Sequence, residues 1–268
     1  MDKNFLTECL QQGMSTREIE KLCGKSCKTV SYWIHKHNLA EMQKYKKNEN
    51  YIFEKIDTKE KAYALGFILG DGGICPLNTV EVAVALADRR VVEYIADIVM
   101  GNVHIDNQYC KEKRRFPRAR MQKRIKDITK FVGARLKKER HFPIVRNDLE
   151  RYLLLGFFDA EGCVTWGHRE YSNGTKTRVW HSVKLTSAYK TLSGVQQYLL
   201  KKLNIATALR PKSNSDCFVL EFSLRSDVLK FCEHIYPDEK FIVLNRKYLK
   251  YKALRLELEE NGEGRKCG

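Results

Sequence analysis

Two dipeptides in this chain carry residue types suited to metal and phosphate chemistry, and each closes an apolar stretch. Asp71-Gly72 ends the run from Lys61, and Glu161-Gly162 ends a matching run from Arg151, ninety residues on. Within each run two small residues stand four apart, Gly66 with Gly70 and Gly156 with Ala160. Residues at i and i+4 share a helix face, so each helix offers a strip where another backbone can approach closely. A glycine inside a helix is about 1 kcal/mol less favourable than alanine, which makes sense if the two helices pack on each other. Asp71 and Glu161 then fall at the helix C-termini, with Gly72 and Gly162 expected as left-handed caps. A carboxylate there opposes the helix dipole by roughly 0.3–1 kcal/mol. Two such acids brought together also repel, which raises one pKa. A divalent cation between them relieves both penalties, and phosphate-cleaving chemistry uses such cations. Mg2+ suits the set, since it takes one or two carboxylates plus waters and phosphate oxygens. Asp-Gly is a common turn dipeptide; the second copy in the same apolar setting gives the pair its weight.

The elements that position these acids form an internal repeat. Beyond the motifs the offset becomes 100: Asp127–Phe131 matches Asp227–Phe231, Ile105 matches Ile205, Leu149 matches Leu249, and Arg140 falls opposite Lys240. The ten extra residues lie around Trp166–Trp180, where Ser172-Asn173-Gly174 signals a hairpin tip. Each copy reads as helix, two strands, helix, two strands, helix. The expected strands include Val80–Leu86 and Arg178–Leu185. The expected helices are Arg89–Met100 and Tyr189–Leu203, then Ile125–Leu136 and Ser226–Ile235. The boundaries are 58–148 for the first repeat, 149–258 for the second, and 259–268 for a flexible tail.

Ahead of the repeats, Ser15 with Glu18 makes a capping box that opens a short helix through Leu22. Gly24 supplies the positive φ of a tight turn, and a second helix starts at Ser26 or Cys27. Val30, Trp33 and Ile34 form its apolar stripe, with Ile19 and Leu22 closing a small core. Residues 1–40 therefore resemble a helix-turn-helix DNA-binding unit. Its contact candidates are Lys25, Ser26, Lys28, Thr29 and Tyr32, and 41–57 reads as a basic linker.

The 49 Lys and Arg against 33 Asp and Glu leave a charge of +16, which points to nucleic acid as partner. A hydrophobic content of 43% excludes a mainly disordered chain, and the densest apolar stretch is too short for a membrane span. Nine scattered cysteines suit a reducing compartment and no disulfide framework; Cys23 and Cys27 lack the second pair of a zinc site. Residues 101–150 hold 15 basic and 6 acidic side chains. There Arg118, Arg120, Gln122 and Arg124 recur at period two, placing four long polar side chains on one face of a strand. Lys111, Lys113 and Arg115 extend this candidate DNA surface. Arg178, Lys184, Arg210, Lys212 and Asn214 are its candidates in the second repeat.

At Ala64–Gly72 and Leu154–Gly162 the chain resembles a monomeric, two-motif LAGLIDADG homing endonuclease, over about 200 of its 268 residues. The resemblance implies an α+β fold of pseudo-twofold tandem αββαββα repeats, preceded by the all-α helix-turn-helix unit. Two saddle-shaped antiparallel sheets would lie along the DNA major groove. It implies Asp71 and Glu161 as catalytic, metal-binding acids, with Gly70 and Ala160 in the metal set. The often acidic sixth motif position holds Leu69 in one copy and Asp159 in the other. Mg2+ is the implied cofactor, with Ca2+ able to substitute without supporting cleavage. Lys240 and Arg140 are the implied basic catalytic residues, Lys138 and Lys247 being neighbours able to take the role. Arginine stays protonated and makes a poor proton shuttle. The implied activity is Mg-dependent cleavage of both strands of a long DNA site, leaving short 3′ overhangs. The implied partner is double-stranded DNA, with no membrane and no obligate protein partner. Two alternatives stay open, an intron maturase binding intron RNA and a DNA-binding regulator on the same fold. Known regulators of this kind have lost the acids, which this chain keeps. An N-terminal Met1 and the lack of a His-Asn splice end disfavour an intein-embedded enzyme. The expected location is the cytoplasm of a prokaryotic or phage-type host, or an organelle.

Overall fold

A computed structural model describes residues 1–39 apart from 13 and 15, and residues 53–263 apart from 54, 108–109, 112–113, 116, 127, 171–176, 237–238 and 242. The capping serine Ser15, the linker from Glu41 to Asn50, Lys113, the 172–174 hairpin tip and residues 264–268 lie outside the described residues. The chain divides into two units, Met1–Asn50 and Tyr51–Gly268.

The described residues of the first unit form three helices, α1 (Lys3–Gln11), α2 (Thr16–Cys23) and α3 (Cys27–Lys36). Asp2 caps α1 by accepting from Phe5 N at 3.0 Å, and Ser26 caps α3 by accepting from Thr29 N at 3.3 Å. Gly24 takes φ +67° between α2 and α3, as expected. The core pairs Ile19, Val30 and Ile34 with Leu6, Cys9, Leu10 and Leu39. The expectation for Leu22 is corrected: it is 60% exposed, because α1 supplies the apolar surface that closes the core.

In the second unit α4 (Lys59–Asp71) is capped by Thr58, whose hydroxyl accepts from Lys61 N at 3.2 Å. β1 (Gly73–Cys75), β2 (Thr79–Ala85), α5 (Arg89–Val99) and β3 (Asn102–Asp106) follow. A short ribbon, β4 (Cys110–Lys111) with β5 (Arg114–Arg115), leads to β6 (Arg118–Arg124) and α6 (Ile128–Val132). The second copy runs α7 (Glu150–Glu161), β7 (Gly162–Glu170), β8 (Thr177–Ser187), α8 (Tyr189–Leu203), β9 (Leu209–Pro211), β10 (Phe218–Phe222) and α9 (Arg225–Ile235). A last helix, α10 (Asn245–Glu263), completes it. The sheets are antiparallel, ordered β1-β2-β6-β3 and β7-β8-β10-β9. This is the expected repeat, with two four-stranded sheets around one core built on α4 and α7.

The pleat places the β6 arginines as their period predicts. Ala119 and Met121 are fully buried toward the core, while Arg118, Arg120, Gln122 and Arg124 alternate to the opposite face. Three expectations are corrected. The helix expected from Ile125 to Leu136 is only Ile128–Val132, ended by Gly133 at φ +84°. The tail expected from 259 is helical through Glu263, because Tyr251, Leu254 and Leu258 bury one face of α10. Gly72 (φ −71°) and Gly162 (φ −97°) are extended, not left-handed, because each helix passes directly into a strand. Glycine is needed there for space: a Cβ would lie 2.5 Å from Ile68 O or 2.1 Å from the Phe158 ring. Among the described residues, no helix is long and apolar enough to cross a membrane.

Candidate active site

The small-residue strips bring α4 and α7 into backbone contact. A Cβ on Gly66 would lie 2.0 Å from Leu153 O, and one on Gly156 would lie 2.0 Å from Tyr63 O, a reciprocal pair. One turn on, a Cβ at Gly70 would sit 2.5 Å from Ala160 Cβ and 2.9 Å from Glu161 Cγ. The two helices therefore run alongside each other in the same direction, and the acids that end them meet at one end.

Burial comes first in shaping that pair. Glu161 rises to about 7, first through burial and then through the nearby Asp71 charge, against the lowering effect of Lys137. Asp71 reaches solvent but is enclosed enough by protein that its carboxyl also rises. Lys137 Nζ lies 3.9 Å from Glu161 Oε1, and the charges of Lys137 and Lys247 lower both acids. A polar cavity of about 180 Å³ opens beside them, with Asp71, Asp88, Asp159 and Arg246 in its wall.

Beneath each acid lies a buried cation. Arg140, 1% exposed, donates from Nη1 to Ile68 O (3.2 Å), Leu69 O (3.3 Å) and Gly72 O (2.8 Å). Lys247, 6% exposed, donates to Phe158 O and Asp159 O (both 2.8 Å) and to Gly162 O. The two sets of carbonyls are related by the 90-residue repeat. Arg140 therefore takes in the first repeat the part that Lys247 takes in the second, although the 100-residue offset places Lys240 opposite Arg140. An ammonium has three donors, and all three on Lys247 are taken by these carbonyls. The cations also offset the negative end of each helix dipole, so that penalty does not by itself call for a metal.

Residues 148–236 match the family model described as a LAGLIDADG-like domain. The match spans α7 to α9, the second repeat. The chain also has the fold of solved LAGLIDADG homing endonucleases. I-SmaMI bound to an uncleaved DNA target with calcium ions superposes with a TM-score of 0.52 and 12% identity, covering 75% of this chain and 92% of that one. I-LtrWI bound to target DNA gives 0.51 and 10%, covering 76% and 91%. No curated protein matches the chain in sequence.

The second motif copy has an acid at its sixth position, Asp159, which is buried and raised to about 7 by that burial. Tyr63 Oη donates to its Oδ2 at 2.8 Å, tying α4 to α7 a second time. Of the other sequence candidates, Gly70 and Ala160 stand at the helix contact, and their carbonyls are not those taken by the buried cations. Lys240 lies exposed beside Phe241, which packs on Tyr63, Tyr94 and Tyr152. Its charge is not among those that shift either acid, and neither is that of Lys138. The nearest cation, Lys137, comes from an irregular segment without periodicity; its place two residues after Arg135 and three before Arg140 is the only sequence hint.

Among the DNA-contact candidates, Arg118 pairs with Asp106 at 3.3 Å, and Lys184 with Glu221 at 3.5 Å. Gln122 donates to Glu81, which Arg120 approaches at 4.0 Å. Arg124, Arg210, Lys212 and Asn214 are exposed, and Lys212 also lowers Glu161. Lys111 and Arg115 lie on the β4–β5 ribbon and Arg178 on β8, in backbone terms. In the first unit Lys25, Lys28 and Tyr32 are exposed, while Ser26 and Thr29 hydrogen-bond each other at the start of α3.

Proposed function

We propose that this chain is a site-specific, divalent-metal-dependent double-strand DNA endonuclease of the homing type. The observation that carries the reading is the meeting of Asp71 and Glu161, one from each repeat, at the joined ends of α4 and α7. Two carboxylates at one helix seam, both raised by burial and Glu161 further by Asp71, suit a hard divalent cation, and oxygen donors with room for water suit Mg2+. Asp71 and Glu161 would hold it with the backbone at Gly70 and Ala160. When bound, such an ion polarises a phosphoryl oxygen and lowers the pKa of attacking water.

The chain's own residues do the rest. Arg140 and Lys247 fix the turns that carry the acids. Lys137 places positive charge beside Glu161, where a phosphate gains negative charge as it is attacked. The outward sheet faces supply the basic surface for the duplex, and the complexes of I-SmaMI and I-LtrWI with DNA support that role for the fold. In the first unit, α3 presents Lys28 and Tyr32 as a helix-turn-helix reader. Deleting residues 1–45 should then weaken binding and shorten the footprint on one flank.

The test is conversion of a supercoiled plasmid carrying the DNA that flanks this gene. With Mg2+ the full chain should linearise it and leave short 3′ overhangs, while Asp71→Asn and Glu161→Gln bind without cutting. Cutting by the doubly substituted chain, or binding without cutting by the wild type, refutes the nuclease reading. Selective retention of intron RNA in place of duplex DNA would support a maturase instead.

A further inference from the structure

We propose that Asp88 and Thr191 are positioning residues, each setting the acid of the opposite repeat. Asp88 of the first repeat places Glu161, and Thr191 of the second places Asp71. The inference rests on the endonuclease reading, because it concerns how the metal-binding pair is held.

The route runs through the two buried cations, whose backbone segments also cross to the other repeat. Arg140 holds the turn after Asp71 through Gly72 O at 2.8 Å, while its own carbonyl accepts from Thr191 Oγ1 of α8 at 3.0 Å. Phe142 lies on the same helix. A Cβ at Gly194 would come within 2.7 Å of Phe142 Cβ, and its ring stands 6.2 Å from that of Tyr198. Thr191, Gly194 and Tyr198 fall at i, i+3 and i+7, one face of α8.

The second repeat does the same with other residues. Lys247 holds the turn after Glu161 through Gly162 O. Its neighbour Arg246 reaches Asp88 at the start of α5, donating from Nε at 2.9 Å and from Nη2 at 2.8 Å. Phe241 packs on Tyr94 of that helix, with ring centroids 6.1 Å apart. Arg246 and Lys247 are consecutive in the first turn of α10. A planar fork on a carboxylate fixes direction as well as distance, so clamping Arg246 also fixes the backbone from which Lys247 springs.

Two details mark these contacts as dedicated. Asp88 is the N-cap of α5, where an Asp ordinarily accepts from its own helix. It makes no such bond and turns both oxygens to Arg246. Thr191, 1% exposed, gives its hydroxyl to a carbonyl 51 residues away. The links differ in kind: Thr191 to Arg140 is neutral and buried, whereas Asp88 to Arg246 is ionic, with Arg246 55% exposed, in the wall of the cavity beside Asp71.

The experiment measures the Mg2+ requirement of the full chain in two ways, by plasmid cleavage and by thermal unfolding, over one MgCl2 series. Asp88→Asn, Arg246→Gln and Thr191→Val should each raise the Mg2+ needed for half-maximal cleavage and for half the Tm gain about tenfold. The rate at saturating Mg2+ should be little changed. Thr191→Ser keeps the donor and should restore the wild-type requirement. The ionic pair is partly exposed and contributes little to folding, so its variants keep the test open even where Thr191→Val does not fold. Asp88→Asn combined with Arg246→Gln should be no worse than either alone, because the two act as one link. Arg255→Gln breaks an ion pair further along α10 and should leave both readouts as in the wild type. Variants that lose Tm without metal yet keep the wild-type Mg2+ dependence overturn the proposal, as do Asp88 and Arg246 effects that add; the nuclease reading then still stands. A wild type whose Tm and cleavage both ignore Mg2+ overturns both.

Discussion

Gly66→Ala sets two known effects against each other at the α4–α7 contact. In an ordinary helix the change gains about 1 kcal/mol. Here the new Cβ would stand 2.0 Å from Leu153 O and 2.8 Å from Phe157 N, where ordinary contact begins at 3.4 Å. The helices must part by about 1.4 Å at that point, the difference between those two distances. Overpacking a core costs about 1–3 kcal/mol, and the upper end applies because backbone atoms have no rotamer to move to. The net expectation is about 2 kcal/mol of destabilisation, a Tm fall of about 4–8 °C for a unit of this size. Parting the helices also separates Asp71 from Glu161, so cleavage should fall even at temperatures where the variant is folded. Gly156→Ala should behave alike, since its Cβ meets Tyr63 O at the same distance. Gly73→Ala is the control: its Cβ has only ordinary contacts, 3.8 Å and 3.9 Å from Glu81, and Tm should hardly move. Thermal unfolding of the three variants decides the matter. A Gly66→Ala protein as stable as wild type, or more so, would show that the helices are not in backbone contact.

Lys247→Met removes a buried cation and strands three carbonyls; urea unfolding should show a loss of about 3–5 kcal/mol, with Lys247→Arg recovering part of it. Without metal, stability should fall as pH rises from about 4.5 to 7. Burial lifts Glu161 from 4.5 to about 7, so the folded chain holds more protons in that window. Glu161→Gln should flatten part of that slope, and added Mg2+ should stabilise the wild type more at pH about 8 than at pH about 6. Tyr63→Phe strips the donor from buried Asp159 and should cost about 1–3 kcal/mol. The loss should be larger above pH about 7, where Asp159 ionises; equal losses on both sides would mean that the carboxyl is protonated throughout.

What could be read from the sequence was whatever repeats with a period. The paired apolar runs located α4 and α7, and alternation oriented Arg118 to Arg124. The boundaries of α8 fell on Tyr189 and Leu203 because its apolar stripe is unbroken. What could not be read were contacts made from irregular backbone. Arg140 follows a 3-10 turn and Lys247 sits in the first turn of α10, so the same task is done 69 residues after Asp71 in one repeat and 86 after Glu161 in the other. A self-comparison at one offset pairs Arg140 with Lys240 and does not reveal the task that Arg140 shares with Lys247. The left-handed caps failed for a related reason: Gly-after-acid is the same dipeptide whether glycine is needed for φ or for space.

The two buried cations also bear on how such a chain could arise and be rebuilt. Arg140 caps the helix of its own repeat, and Lys247 caps the helix of its own. Each half thus brings its own support for the turn that carries its acid, using a different side chain from a different place. A foreign half would have to match the glycine seam and the links that cross it, among them Tyr63 to Asp159, Lys137 to Glu161, Asp88 to Arg246, Thr191 to the Arg140 carbonyl and Phe241 to Tyr63 and Tyr94. Recombination between unlike halves would then join unlike sheets while each inherited acid keeps its seat.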